Sequence, residues 1–443
     1  MKNRALKLIL TLLLLTFISL FCLTSCGVLE SIYLLADIYD SEDEIIEDES
    51  GDLILDIPSS DDNEDKTENN SSNKNQDEEE IDIPSGDSTN NTIIIEGSES
   101  NIVYAASAGA RSAVSVYAEF SSGAYTGSGV IYDLDENNGS AFIITNYHVI
   151  YYSSRYSGKI SEDIKVFLYG MESESYAIPA TFVGGSPNYD IAILRVDNSE
   201  ILKSAANRGV ASAVTIADSN NILIGQTAIA IGNPESSGIS VTSGIVSVDS
   251  EYITMSSING KSSVEFRVMR IDTAVNSGNS GGGLFDDQGH LIGIVNAKIS
   301  SSDVENIGYA IPISIVTAVA DNIIYNCYGN SCQTMMRALL GVEIVAKDLS
   351  TEYDSELGIL QKLEVIAVSS VGEDGIANGK LEVDDIIKSI SVAGKTAEVT
   401  RRHHVIDTML NACLDDVVEI TVMRDGVEIV VSITITQDCL TEY

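Results

Sequence analysis

The chain has 443 residues, of which 66 are acidic and 25 basic, giving a formal net charge of −41. That balance leaves no basic stripe to neutralise phosphates, so nucleic acid is excluded as a partner. With 44% hydrophobic residues, the chain carries enough apolar material for about two domains and extra segments.

Residues 1–26 read as a targeting segment. Lys2, Arg4 and Lys7 make a basic start, and the apolar run "LILTLLLLTFISLFCL" leads into "LTSC" (Leu23 to Cys26). These are signal-peptide features; an uncleaved membrane anchor is the plainer alternative. "LTSCG" closely resembles a bacterial lipoprotein signal, which implies cleavage before Cys26, its lipidation, and a membrane-anchored protein facing outside the cytoplasm. Residues 27–100 form an acidic tether. "SEDEIIEDES", "DDNEDKTENN" and "SSNKNQDEEE" cannot bury enough apolar surface to offset ordering entropy. Self-repulsion keeps such a segment extended. It serves as a spacer, with cation or partner binding as the alternative.

From 101 to 330 the character changes. Short runs rich in Val, Ile and Tyr alternate with Gly, Ser and Asn turns: "AVSVYAEF", "GSGVIYDL", "AFIITNYHVI", "DIKVFLYG", "DIAILRV", "TAIAIG", "VEFRVMRID", "LIGIVNAKI". The pattern predicts an all-β barrel or sandwich, with almost no helix before the terminal "YAIPISIVTAVADNIIYNCYG", where apolar residues recur at helical spacing. A second unit spans 339–438: two strands, a short helix at "EDGIANG", a strand, a helix at "RRHHVIDTMLNAC", and a hairpin turning at "RDG". Of the cysteines beyond the leader, only Cys327 and Cys332 are close, in "CYGNSC". An exported chain permits a disulfide there; two free thiols stay equally open. No Cys or His spacing suggests a metal.

Three residues make a chemical set. His148 follows the strand "IITNY", Asp190 opens the strand "DIAILRV", and Ser280 lies in the glycine-rich "VNSGNSGGGLFD". Taken singly, each has a structural reading: a packed histidine, a strand-opening acid, a turn serine. Together they supply nucleophile, base and orienting acid. A serine hydroxyl attacks well only when a base takes its proton. Imidazole does so and returns the proton to the leaving amine, while a carboxylate holds the imidazole in the required tautomer. The backbone N–H groups of Gly278 and Ser280 are placed to receive the negative oxygen of a tetrahedral intermediate, in a loop that glycine allows to turn tightly.

"TNYHVI", "NYDIAIL", "AIAIGNP", "VTSGIVS", "IDTAVNSGNSGG", "HLIGIV" and "IGYAIPI" occur in order between about residues 104 and 325. In these the chain resembles the HtrA (DegP-like) branch of trypsin-fold serine proteases. The resemblance implies two six-stranded β-barrels with the site in their cleft. It also implies His148 as base, Asp190 as orienting acid, Ser280 as nucleophile, Gly278 and Ser280 as oxyanion hole, and Thr145 and Asn146 ahead of the base. It implies no cofactor, and a homotrimer. Gly283 stands where the family has proline, and Ser277 also departs from its pattern; neither removes a catalytic atom. Ala274, six residues before the nucleophile, lines the base of the primary pocket in trypsin-like proteins. Being uncharged, it implies small or medium apolar side chains before the cut bond; a plain core residue is the even alternative.

The second unit resembles the PDZ domain that follows the protease in this family. Leu340, Gly341 and Val342 fall in its carboxylate-binding loop, which implies capture of C-terminal peptides by strand addition. Asp384–Asp385 replaces the usual Gly-Asp. The leading expectation is therefore an extracytoplasmic serine endopeptidase acting on unfolded or misfolded proteins, with a regulatory PDZ domain. The rival is an inactive protease fold that holds peptides or acts as a chaperone-like surface protein. A surface adhesin carried on the acidic tether is a third reading.

Overall fold

A computed structural model describes residues 100–443, apart from 122, 154–157, 220–221, 234–237, 298–306 and 356–357. The leader with Cys26 and the acidic tether up to residue 99 therefore lie outside the described residues. Helix α1 (Ser100–Ala110) leads into β1 (Ala113–Phe120), β2 (Gly123–Asp135) and β3 (Ser140–Thr145). A single helical turn, α2 (Tyr147–Ile150), follows. Then come the short ribbon β4 (Tyr151–Tyr152) and β5 (Lys159–Ile160), β6 (Asp163–Leu168), β7 (Ile178–Ser186) and β8 (Ile191–Val196). Strands β1-β2-β3-β8-β7-β6 close into a barrel.

The central strands show why the sequence reads as unbroken apolar runs. Successive side chains of a strand point to opposite faces, and here both faces are covered. Ile143 and Leu194 fill the barrel. Their neighbours Ile144 and Ile193 belong to a second core shared with the rest of the molecule. One strand thus serves two cores.

Helix α3 (Glu200–Asn207) departs from the expectation that helix appears only late. Ser199 caps it, its Oγ accepting from Leu202 N at 3.2 Å, and Leu202, Ala205 and Ala206 are buried beneath it. The second barrel follows: β9 (Thr227–Gly232), β10 (Ser240–Ser256), β11 (Ser263–Ile271), β12 (Gly283–Phe285), β13 (Leu291–Val295) and β14 (Gly308–Pro312), closed in the order β10-β11-β14-β13-β12-β9. The predicted terminal helix is α4 (Ile313–Cys327). It presents Ile313, Val316, Val319 and Ile323 to the shared core and packs on β7 and β8 of one barrel and β13 of the other.

The remaining residues form a smaller α+β unit: β15 (Met336–Ala338), β16 (Val342–Asp354), β17 (Ile359–Val371), β18 (Ile386–Val392), β19 (Lys395–Glu398), α5 (Arg402–Met409), β20 (Val417–Arg424), β21 (Val427–Thr434) and β22 (Leu440–Glu442). The sheet order is β16-β17-β18-β20-β21, with β19 on β18 and a separate β15–β22 ribbon. The short helix expected at "EDGIANG" is instead a run of turns. The segment is tied to the loop at 340–341: Ala377 N donates to Leu340 O, and Gly372 N, just before it, donates to Gly341 O, while Gly375 N and Asn378 N make local turn bonds to Gly372 O and Gly375 O. Gly375 lies against Gly341, where a Cβ on either glycine would meet the other's Cα.

Charged side chains join this unit to the second barrel. Arg267 of β11 pairs with Asp407 of α5, and Ser314 of α4 bonds both at 2.6 Å. Arg267 and Asp407 are each only 6% exposed. Arg401 reaches Asp249 at 2.9 Å, and Arg402 lies 4.0 Å over the Tyr252 ring. His403 and His404 sit among these groups with their rings 4.5 Å apart. Burial, then the Arg267 guanidinium, holds His403 far below the ordinary imidazole range; burial likewise lowers His404, against the pull of Asp407.

The sign of the pH effect follows. Both imidazoles are neutral when folded and take up protons when unfolded. Their contribution is complete above the unfolded value near ~6.5 and is lost as pH falls below it. Thermal unfolding measured from about pH 7.5 down to about pH 5 should show a falling midpoint. His403→Gln should flatten that slope, and an unchanged slope would remove this histidine from the account.

Candidate active site

Asp190 ends the turn between β7 and β8 and adopts a left-handed conformation, φ 54°, which a short polar residue tolerates better than most. The turn is tied down around it: Asn146 Nδ2 donates to the Asp190 carbonyl at 2.7 Å, and Tyr147 N does so at 3.2 Å. The carboxylate is 1% exposed. Its Oδ1 accepts from His148 N at 2.9 Å. Its Oδ2 meets His148 Nδ1 at 2.6 Å and accepts from Asn296 Nδ2 at 2.8 Å. A carboxylate on Nδ1 places the imidazole proton there and leaves Nε2 as the basic nitrogen.

Ser280 is buried in the loop before β12. Gly278 and Gly281 take positive φ of 97° and 84°. At Gly281 the requirement is steric as well: a Cβ would lie 2.2 Å from Ser128 O and 2.5 Å from Thr145 Oγ1. Within the loop, Asn279 N, Gly281 N and Gly282 N donate to Asn276 O, Val295 O and Asn279 O. The N–H groups of Gly278 and Ser280 have no acceptor among the described residues. They are the pair available to a developing oxyanion.

Ser128 of β2 holds this loop from the other barrel. Its N–H donates to Ser280 O at 2.8 Å. Its hydroxyl donates to Gly278 O at 2.7 Å and accepts from Asn233 N at 2.8 Å. Thr145 Oγ1 in turn donates to Ser128 O at 2.7 Å. One glycine measures how close the two halves come. A Cβ on Gly127 would lie 2.7 Å from Val149, next to His148, and 3.1 Å from Ser280 O. The Ser280 hydroxyl accepts from Ala297 N at 3.2 Å and, among the described residues, makes no hydrogen bond to His148.

The structure thus brings His148 and Asp190 into contact and sets Ser280 on the neighbouring loop. Ser128, Asn296 and Ala297 escaped the sequence reading. Asn296 carried one signal, an amide directly after the wholly apolar "LIGIV"; Ser128 carried none, since a serine between glycines reads as a turn. Ala274 is exposed, which removes the reading as core, and its carbonyl accepts from Thr242 Oγ1 at 2.8 Å. Leu340 is buried, Gly341 has φ 75°, and Val342 opens β16. His290 pairs with Asp286 instead. Among the described residues no cluster of three or more His, Cys, Asp or Glu side chains is placed to hold a metal ion.

The serine protease Do-like HtrA of Lactococcus lactis subsp. lactis (strain IL1403) is 31% identical over 310 residues, which is 68% of this chain and 68% of that protein. The chain belongs to the HtrA family of trypsin-type serine endopeptidases. The HtrA of Bacillus subtilis (strain 168) is 32% identical over 320 residues, 70% of this chain and 64% of the relative. The periplasmic serine endoprotease DegP of Escherichia coli (strain K12) is 33% identical over 276 residues, 60% and 48% respectively. The Trypsin-like peptidase domain family matches residues 127–294, from the start of the Ser128 clasp to the end of β13. This HtrA protease has the two closed six-stranded barrels of a mainly β, trypsin-like fold.

The Ser128 clasp yields a test. Ser128→Ala deletes two hydrogen bonds, one holding the Ser280 loop at Gly278 O and one from Asn233 N, at a cost of about 1–3 kcal/mol in stability. Because Ser128 touches neither substrate nor reacting atoms, kcat should fall by less than the roughly 10²-fold of a lost oxyanion donor. Steady-state kinetics beside thermal unfolding checks this; unchanged kcat would show the loop to be positioned without Ser128.

Proposed function

We propose that His148, Asp190 and Ser280 form the catalytic triad, with the Gly278 and Ser280 N–H groups as oxyanion hole. The buried His148–Asp190 contact, with Asn296 as an added donor, carries this reading. The Ser280 hydroxyl must first swing from the Ala297 amide toward His148 Nε2. His148 takes its proton as Oγ attacks the peptide carbonyl, and the oxyanion rests on the two N–H groups. His148 then protonates the leaving amine, giving an acyl-enzyme. Water, deprotonated by the same imidazole, releases the second product.

The substrates are unfolded or misfolded proteins, cut after small or medium apolar residues beside the uncharged Ala274. The smaller unit acts as a PDZ domain. Leu340 and Gly341 carbonyls are bonded within the fold, whereas their N–H groups have no acceptor among the described residues, which suits a peptide carboxylate. Strand β16 lies at the sheet edge and contacts α5, so a peptide strand fits between them. Outside the described residues, Cys26 is the lipidated anchor and residues 27–100 the spacer that hold the protease on the outer side of a membrane. The family relationship supports a homotrimer.

Fluorophosphonate labelling tests the nucleophile. Wild-type protein should label at Ser280, and Ser280→Ala should lose both labelling and casein cleavage, the latter by roughly 10⁶-fold, with little change in thermal midpoint. Asp190→Asn should lose roughly 10⁴-fold through the wrong imidazole tautomer. Peptide binding without labelling of the wild type would instead favour an inactive binding protein. A peptide library should show apolar residues before the cleaved bond; strict cleavage after Lys or Arg would refute the Ala274 assignment.

A further inference from the structure

Cys327 closes α4 and Cys332 lies across the turn that Gly329, φ 77°, makes possible. Cys327 is buried and Cys332 half-buried; both are free thiols. Their sulfurs converge on one acceptor, the carbonyl of Thr334, at 3.5 Å for Cys327 and 3.0 Å for Cys332. Cys327 Sγ lies close over Gly184, 3.3 Å from where a Cβ there would be. A cleft of about 240 Å³ opens on the pair, lined by both cysteines, Tyr328, Gln333 and Arg195. The segment just beyond is an integral part of the barrel: Gly185 N donates to Gln333 O at 3.0 Å and Met335 N to Gly185 O at 3.2 Å. Gly185 belongs to β7, whose following turn carries Asp190.

We propose that Cys327 and Cys332 are a dithiol–disulfide site that takes a low-molecular-weight disulfide, such as glutathione disulfide, through this cleft. The bond formed clasps the end of α4 to the linker that leads into the smaller unit. Cys332, the more accessible, attacks one sulfur of the oxidant; a mixed disulfide forms and the first oxidant thiol leaves. Cys327 then gives its proton to solvent and attacks Cys332 Sγ, and the second oxidant thiol leaves. Two protein thiols are oxidised to one disulfide, and one oxidant disulfide is reduced to two thiols. Burial, with the Cys332 thiol beside it, raises the Cys327 thiol above the usual range, so closure is the slow step and the reduced pair resists chance reaction. Cys413 and Cys439 are placed differently. Cys439 donates to Thr436 O, and neither it nor Cys413 shares an acceptor with a second sulfur among the described residues.

The test uses the full chain, incubated with glutathione disulfide, denatured, alkylated and peptide-mapped. A Cys327–Cys332 crosslink is expected, with these two thiols lost to alkylation. The thermal midpoint should rise by a few degrees and return with dithiothreitol. Cys332→Ser should fold with the reduced protein's midpoint and show neither crosslink nor rise. Four outcomes overturn the proposal: both thiols still alkylated after oxidation, a glutathione adduct on Cys332 that never closes, a crosslink from Cys327 to Cys413, or a disulfide between chains. Loss of protease activity plays no part in the readout, so this result stands apart from the triad assignment.

Discussion

The carboxylate of Asp190 is enclosed by three donors from two separated stretches of chain: the His148 amide, the His148 ring and the Asn296 side-chain amide. Taking a carboxylate out of water costs several kcal/mol unless such donors replace the lost hydration. The donors come from α2, at the edge of the first barrel, and from the end of β13 in the second. The closed interface between barrels therefore satisfies the carboxylate, and the carboxylate in turn fixes the His148 ring. Ser128 completes the reciprocal arrangement, reaching from the first barrel to hold the loop that carries Ser280 in the second.

Much of this was legible in the sequence. The strands were readable because alternate residues such as Ile143 and Ile144 feed two cores, leaving uninterrupted apolar runs. His148, Asp190 and Ser280 were readable as a set because no other arrangement of the few histidines gives the same chemistry. Helix α3 was not, although Ser199 carries its capping signal, because eight residues between β-rich runs leave too short a period to recognise. "EDGIANG" misled in the opposite direction: its composition suits a helix, but Ala377 N is claimed by the distant Leu340 carbonyl and Gly375 N and Asn378 N close tight turns. Ser128 and Asn296 were hidden because their meaning lies wholly in partners more than a hundred residues away.

The junction between the second barrel and the smaller unit follows a different logic. The chain as a whole is strongly acidic, yet Arg267, Arg401, Arg402 and Lys395 gather here against Asp407, Asp249, Glu265 and Asp321. A buried pair such as Arg267–Asp407 contributes little net stability compared with apolar packing, but breaking one partner is costly. This interface is therefore specific in its geometry, and His403 and His404 place two neutral imidazoles where added positive charge is least tolerated.

The ribbon formed by β15 and β22 mounts the smaller unit. The strand by which the chain enters that unit is paired, residue against residue, with the strand by which it leaves: Met336 with Glu442, Arg337 with Thr441, Ala338 with Leu440. Just beyond, Met335 bonds to Gly185, and the Tyr443 ring packs tilted against Tyr189, 5.3 Å between centroids. The unit thus stands on a two-legged stalk rooted on either side of the turn that ends at Asp190. Swinging it as a flag swings on one hinge would require unzipping the legs, whereas torsion of the whole stalk would not.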